Sequence, residues 1–290
     1  MTRRSFIKRV AIGAAVPSYA FGVEPRWLEL TFHKIGLPAY RIPKPIRVLQ
    51  LSDLHVSPFV PLTLIERAVD MGLGTKPDVI CVTGDFITNQ DSFDAAEYRR
   101  ILRKLPAQAP CYACLGNHDG GPWAAGHIGG YPDTAVVRAL LADSGIRLLD
   151  NRSEIVHAGR QPIRMAGVGD LWNEDVDADR ALGGVRRDGV PTVLLAHNPD
   201  TKELVANHSW DVMLCGHTHG GQVLVPLVGT RFVAVRDKEF IAGLKQWNGR
   251  HIYISRGVGN LAGVRLNCRP EVTVLDIAGP APTLDAEYRV

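Results

Sequence analysis

Short apolar runs alternate along the chain with segments whose apolar positions recur every three or four residues. Ile46–Leu51 reads as a strand and Leu62–Leu73 as a helix, with Thr63 near its start. Asp78–Thr83 reads as a strand, and Asp94–Leu105 as a helix capped near Asp91 or Ser92. Pro110–Leu115 is a further strand and Asp133–Asp143 a helix closed by Gly145. Val190–Ala196 and Asp211–Cys215 are strands flanking a short helix at Asp200–Asn207. Such alternation predicts α/β layering with largely parallel pairing. The later stretches, 147–169 and 222–277, are richer in strands and predict a second sheet packed on the first. Upstream, residues 23–45 form a lead-in with prolines at 25, 38, 43 and 45 and a strand-like Leu28–Lys34 at a sheet edge. The domain proper spans 46–280, with no repeat of fixed period inside it.

A length of 290 residues is ample for a buried core. No run reaches the roughly eighteen uninterrupted apolar residues of a membrane-spanning helix. The formal net charge of +3 comes from one end. Residues 1–20 contain Arg3, Arg4, Lys8 and Arg9 and no acid, so 29 of the 33 basic and all 30 acidic residues lie beyond them. A body that close to neutral gives no ground for wholesale nucleic-acid binding.

That basic end has the form of a targeting segment. Charged residues 2–8 precede a mildly apolar run from Val10 to Val16, and Ser18-Tyr19-Ala20 offers small residues where a signal peptidase reads. Paired arginines before Phe6-Ile7-Lys8 resemble a twin-arginine export signal. Residues 1–22 are therefore expected to act as a signal or an N-terminal anchor, with the twin-arginine machinery as a partner. The expected location is the periplasm or envelope of a bacterium.

Five cysteines do not make a disulfide framework in a chain this long. Cys111 and Cys114 form a CxxC, but on a strand residues three apart face opposite sides, so a joint redox or zinc site is not expected. Cys81 and Cys215 read as core residues.

The chemistry lies just beyond the strands, in Ser52-Asp53-Leu54-His55, Gly84-Asp85, Gly116-Asn117-His118-Asp119, His197, and Gly216-His217-Thr218-His219-Gly220-Gly221. Loops beyond the carboxyl ends of strands converge on one crevice. Carboxylate, imidazole and carboxamide together suit manganese, iron, zinc or nickel, and the lack of thiolate argues against a structural zinc site. Singly, each motif is ordinary: Asn and Asp favour turns, and a lone histidine after a strand is usually structural. Together they allow a charge count. Two divalent cations against Asp53, Asp85 and a bridging hydroxide leave about one positive charge, which suits a phosphoryl group held by ions roughly 3.5–4 Å apart.

In this order the motifs resemble those of the calcineurin-like metallophosphoesterase superfamily, over residues 46–277. The resemblance implies a four-layer α/β/β/α sandwich of two mixed β-sheets flanked by helices. It implies that Asp53, His55 and His219 bind one metal, that Asn117, His197 and His217 bind the second, and that Asp85 bridges them. Manganese is the first expectation for both ions. His118 would face the phosphate as general acid or transition-state stabiliser, oriented by Asp119. Protein phosphatases of the superfamily follow Gly-Asp with Asp-Arg-Gly; here Phe86-Ile87-Thr88-Asn89 follows, which turns the reading away from them.

A closer likeness is to exported or membrane-associated bacterial members, which share the Gly-His-Thr-His-Gly-Gly-Gln of 216–222 and the Ser-Arg-Gly-Val-Gly of 255–259. Some of these cleave the pyrophosphate of UDP-2,3-diacylglucosamine. Arg256 and Gln222 are accordingly candidates to reach substrate. Residues 223–249, with Arg231, Arg236, Lys238, Lys245 and Trp247, read as a solvated hairpin, or alternatively as a substrate- or lipid-facing rim. His33, His127, His157, His208 and His251 have no motif around them and read as structural or surface residues.

The expected activity is hydrolysis of a phosphodiester or pyrophosphate, of a lipid or nucleotide-lipid, by attack of the bridging hydroxide. Association with a membrane surface goes with it, and no nucleic-acid partner. A phosphomonoesterase or nuclease of the same fold is the enzymatic alternative, and a catalytically inactive binding scaffold the non-enzymatic one. The export reading is open to direct test. With a reporter fused after residue 40, changing Arg3 and Arg4 to Lys should trap the fusion inside the cell; an unaltered location would refute the signal.

Overall fold

A computed structural model describes residues 16–37, 39, 40, 42, 44–91, 93–159, 161–226, 229, 230 and 233–279. The paired arginines, Ser92 and Arg231 lie outside these residues. The strands are β1 (Glu29–Gly36), β2 (Ile46–Leu51), β3 (Val79–Thr83), β4 (Cys111–Cys114), β5 (Arg147–Leu148) and β6 (Arg152–Ala158), followed by β7 (Gln161–Gly167), β8 (Thr192–Leu195), β9 (Val212–Cys215), β10 (Gly243–Trp247), β11 (Arg250–Ile254) and β12 (Glu271–Ala278). The helices are α1 (Leu62–Leu73), α2 (Ala95–Gln108), α3 (Pro122–Ile128), α4 (Ala135–Ser144) and α5 (Ala178–Leu182).

Two six-stranded sheets form, in the orders β1-β12-β2-β3-β4-β5 and β10-β11-β9-β8-β7-β6. Each has a parallel centre, β2-β3-β4 in one and β7-β8-β9-β11 in the other. Antiparallel pairs lie at β12-β2, β10-β11 and β6-β7. Successive residues of a central strand serve different layers, because side chains alternate across a sheet. Val48, Val79, Cys81, Tyr112 and Cys114 face the second sheet and meet Val193, Leu195, Val212 and Leu214. Leu49, Leu51, Ile80, Val82 and Ala113 face α1, α2 and α4. On the far side Leu194, Met213 and Cys215 pack with Trp210 and the α5 residues Ala181 and Leu182. The result is the expected four-layer sandwich, two mixed sheets flanked by helices. Cys111 and Cys114 fall in different layers, as strand geometry requires, and all five cysteines are free and buried.

The observed cap of α2 is Asp94, whose carboxylate accepts from the N–H groups of Ala96 and Glu97, rather than Asp91 or Ser92. Thr63 is the second residue of α1, as expected, and Pro61 precedes the helix with no side-chain bond. The segment expected as a helix at 200–207 holds only a 3-10 turn, Pro199–Glu203. Helix α3 has no forerunner in the sequence pattern. At seven residues it is too short to show a period.

The lead-in is part of the sandwich. β1 pairs in parallel with β12 over eight residues at the sheet edge. A helical segment over 16–22 precedes it and is tied down as well: the Ala20 carbonyl accepts from the Arg265 N–H at 2.9 Å. Glu24 is fully buried, its carboxylate accepting from the N–H groups of Asn267 at 2.9 Å and of Cys268. Among the described residues no helix is long and apolar enough to cross a membrane. Glu24→Ala leaves two buried N–H groups unpaired, which costs about 2–4 kcal/mol. Thermal unfolding should show Tm lower by several degrees, and an unchanged Tm would mean this arm is not docked in solution.

Candidate metal centre

Because the central strands of both sheets run parallel, their carboxyl ends open at one edge of the sandwich. The loops there are knitted backbone to backbone. The N–H groups of Asp53 and His55 donate to the carbonyls of Gly84 and Asp85, at 3.0 and 2.9 Å. Gly216 N–H donates to the His197 carbonyl at 2.9 Å, and Val258 N–H to the Ser52 carbonyl at 2.9 Å. Below them Gln50, Ser52 and Thr83 form a buried polar link between the sheets. Gln50 Nε2 donates to Thr83 Oγ1 and to the Cys215 carbonyl, both at 2.9 Å, and Thr83 Oγ1 donates to Ser52 Oγ at 2.7 Å.

Turning each chain sharply outward takes unusual backbone. Asp53, His55, Asp85, His217 and His219 all have φ between 48° and 69°. That left-handed region is costly for non-glycine residues and is held only where surrounding structure enforces it. The glycines beside them are there for space. A Cβ on Gly116 would collide with the Asp85 carboxylate, and one on Gly216 with Ser52 Oγ and the Asp53 carboxylate.

The side chains converge in two lobes that share Asp85. In one, His55 Nε2 lies 3.1 Å from His219 Nε2 and 3.2 Å from Asp85 Oδ2, while His219 Nε2 is 3.5 Å from Asp53 Oδ1. In the other, His197 Nε2 lies 3.1 Å from Asp85 Oδ2, and His217 Nδ1 is 2.8 Å from Asn117 Oδ1. All seven expected ligands are buried at this edge. A ring nitrogen of His118 also lies within 4.8 Å of donor atoms of His55 and Asp85.

Backbone carbonyls fix the imidazoles. A carbonyl oxygen only accepts, so the nitrogen facing it carries the proton. His197 Nδ1 faces the Thr83 carbonyl at 2.7 Å, His217 Nε2 that of Ala234 at 3.1 Å, and His118 Nδ1 that of Thr88 at 2.7 Å. The other nitrogen of each ring is left to the centre, where Nδ1 of His217 meets Asn117 Oδ1 and Nε2 of His197 lies beside Asp85. His197 Nε2 has no hydrogen bond despite its 3.1 Å approach to Asp85, and Asp53 Oδ2 is buried with no partner among the described residues. Crowded, orphaned electron-pair donors of oxygen and nitrogen type are what a divalent cation takes. The residues present fit divalent metal.

The local electrostatics agree. Burial lowers His217 to about 3 and His118 to about 4. Burial also acts to lower His197, but Asp85, Asp53 and Asp170 outweigh it and raise it to about 10. Burial opposes ionisation of Asp85, yet His197, His118 and His55 hold it well below the usual carboxylate range. His118, His217 and His219 are thus kept neutral, while positive charge is drawn to the lobe between Asp85 and His197.

Three expected roles differ from what the contacts show. Asp119 does not orient His118. Its carboxylate accepts from the N–H groups of Asp85, Phe86 and Gly116, at 2.9, 2.7 and 2.9 Å, and so holds the turn that carries Asp85. The Thr88 carbonyl orients His118 instead. Arg256, a candidate substrate contact, is committed to Glu29 at 2.8 Å and Glu271 at 3.3 Å. Gln222, the other, clasps the backbone of Leu261 through both ends of its amide, at 2.7 and 2.9 Å.

The segment read as a solvated hairpin divides. Trp247 stacks on Trp210 at 6.0 Å, whereas Val233–Asp237 lines a cleft beside the metal lobes. Of the histidines without a motif, His127 stacks on Trp123 near that cleft. Residues without forewarning in the sequence are Gln50, Thr83, Thr88 and the pair Trp123 and Trp172.

Fold and donor set together define a metal-dependent phosphoester hydrolase. The model of the calcineurin-like phosphoesterase family matches residues 46–221, and the chain belongs to that family. It is 39% identical over 280 residues to phosphodiesterase YaeI of Escherichia coli (strain K12), covering 96% of this chain and 99% of that one. It is 30% identical to metallophosphoesterase YkuE of Bacillus subtilis (strain 168), covering 96% and 98%. It is 25% identical to UDP-2,3-diacylglucosamine pyrophosphatase LpxG of Chlamydia muridarum (strain MoPn / Nigg), covering 89% and 91%.

The packing gives a test independent of turnover. Gly116→Ala pushes a methyl group against Asp85 and should lower bound divalent metal per folded chain at least several-fold. Gly126→Ala, which meets nothing within 4 Å, should leave it unchanged. Equal metal content in the two variants would contradict the placement of Asp85.

Proposed function

We propose that the chain hydrolyses a phosphodiester or pyrophosphate bond at a centre of two divalent ions, manganese first among them, in a lipid- or nucleotide-linked substrate. One observation carries the reading: Asp85 stands between two lobes of buried donors, with Asp53, His55 and His219 on one side and Asn117, His197 and His217 on the other. Each lobe is suited to hold one ion. When bound, such a pair polarises phosphoryl oxygens and lowers the pKa of a water. The chain's own residues do the rest. Asp119 fixes the turn of Asp85, and Thr83 and Ala234 fix the rings of His197 and His217. His118, its Nδ1 proton engaged by Thr88, is left with Nε2, which can give the leaving oxygen a proton once it has taken one from solvent. The names of YaeI and LpxG, a phosphodiesterase and a pyrophosphatase, support the bond class.

Export by a twin-arginine route, to the periplasm or envelope, belongs to the same proposal. The docked arm supports retention of residues from 16 onward, since Ala20 is buried and bonded to Arg265. Val16, Phe21, Val23 and Trp27 on that arm are exposed, which supports contact with a membrane surface.

The test is hydrolysis of a chromogenic phosphodiester with added manganese. Asp85→Ala and His217→Ala should abolish turnover and bound metal together. His118→Ala should lower kcat by roughly 10²–10⁴ with metal content retained. Wild-type rates in the Asp85 variant would refute the centre, and loss of metal in the His118 variant would make that residue a ligand.

A further inference from the structure

We propose that Trp123 and Trp172 form a stacking subsite for a nucleobase, so that the substrate carries a nucleoside on the phosphate arm that does not leave. The proposal rests on the hydrolase reading above and names its substrate class. Trp172 meets the His217 ring edge-on at 4.3 Å, and Trp123 meets His118 at 5.4 Å. The two indoles touch each other at 4.8 Å, inclined by 44°. They therefore form a continuous aromatic wall from one lobe of the metal centre to the other.

The wall is built, not incidental. Asp170 accepts from the N–H groups of Trp172 and Asn173, at 3.0 and 2.9 Å. Asn173 in turn accepts from the Trp123 N–H at 3.1 Å and donates to the Gly120 carbonyl at 3.1 Å. One asparagine thus joins two loops that follow strands of different sheets. Gly121, at φ 108°, lies so close to Asn173 that a Cβ would strike it. Yet the indoles are not core residues. Both are half-buried, and neither indole N–H has a partner among the described residues, whereas the core Trp210 donates to the Val205 carbonyl at 3.0 Å. Fixed, half-exposed aromatic faces are recognition surfaces.

The cleft they border has a volume of about 730 Å³, enough for a nucleoside, and Val233–Val235 form its opposite wall. Its floor selects among arms. Lys202 is buried, its ammonium 3.3 Å from Asp237, 3.5 Å from Glu203 and 3.8 Å from Asp200. A cationic arm would have to compete with the buried Lys202 ammonium for the same three carboxylates. A second phosphate would meet three carboxylates. A hydrocarbon chain would desolvate all four charges. A neutral planar group with a polar edge suits both wall and floor, because every base has a π-face to stack and N–H or carbonyl groups to present.

The experiment compares three manganese-dependent substrates that share a p-nitrophenyl leaving group: the diesters whose other arm is thymidine, choline or methyl. The thymidine arm should be preferred over methyl by at least about tenfold in kcat/KM. Trp172→Ala and Trp123→Ala should each lower that ratio at least about fivefold, toward one, mainly through KM. Trp172→Phe, which keeps a face, should restore most of it. A ratio near one in the wild type, a preference for choline, or loss of rate on all three arms in equal measure overturns the subsite. Hydrolysis of none of the three by the wild type would refute the hydrolase reading instead. The subsite is then judged alone: saturable quenching of tryptophan fluorescence by uridine should weaken in Trp172→Ala, and its absence in the wild type overturns the subsite.

Discussion

The constraint that organises this molecule is the mutual exposure of electron pairs around Asp85. Two histidine nitrogens approach its Oδ2 to within 3.1–3.2 Å, and the carboxylate of Asp53 is buried beside them with one oxygen unpaired. Such a grouping works against folding unless positive charge offsets it. It survives because the surrounding backbone leaves the side chains nowhere else to go. Five donors sit in left-handed turns, and two of those turns are braced by glycines that pack directly on the carboxylates. The parallel centres of the two sheets then explain why residues 166 positions apart meet: both sheets end their central strands at one edge, so Asp53 and His219 are neighbours there.

Much of this was legible in the chain, for identifiable reasons. β2 and α1 have the residues expected of them, because an apolar run ending at a Ser-Asp pair and a 12-residue amphipathic period are strong local signals. The candidate donors were legible because such chemistry requires particular residue types and each follows a strand. What fixes those donors was not. The carbonyls of Thr83, Thr88 and Ala234 orient three imidazoles, and a backbone carbonyl has no residue signature. Asp119 was misread for a related reason. Its neighbour in sequence is His118, but its partners in space are N–H groups of the 85–87 turn, 32 to 34 residues away.

Arg256 and Gln222 show the converse error, a functional reading drawn from residue type. An arginine beside a phosphate site invites assignment to substrate. Here the guanidinium ties β1 to β12 through Glu29 and Glu271, and its aliphatic stem fills the space beside Gly220. The arm that the sequence treats as a lead-in is consequently joined to the metal centre through a short chain of contacts. Glu24 holds Cys268, whose sulfur donates to the His219 carbonyl at 3.2 Å. The N-terminal arm and the first lobe of donors therefore share one support.

The centre and its rim divide the chemistry between them. The donors around Asp85 recognise only what all phosphoesters have in common, a phosphoryl group, and they come from the strand-end motifs that place the chain in its family. Discrimination between substrates has to come from groups outside that set, in contact with it but free of its ligand duties. Trp172 and Trp123 meet this condition, each touching one histidine of the centre while bordering the cleft. They lie in irregular segments, the 170–174 turn and a seven-residue helix, where no periodic pattern marks a residue as buried or exposed. That is why the rim escaped sequence reasoning when the centre did not: metal chemistry restricts residue type at fixed places, whereas a stacking surface asks only for an aromatic ring wherever the loops bring one to the phosphate.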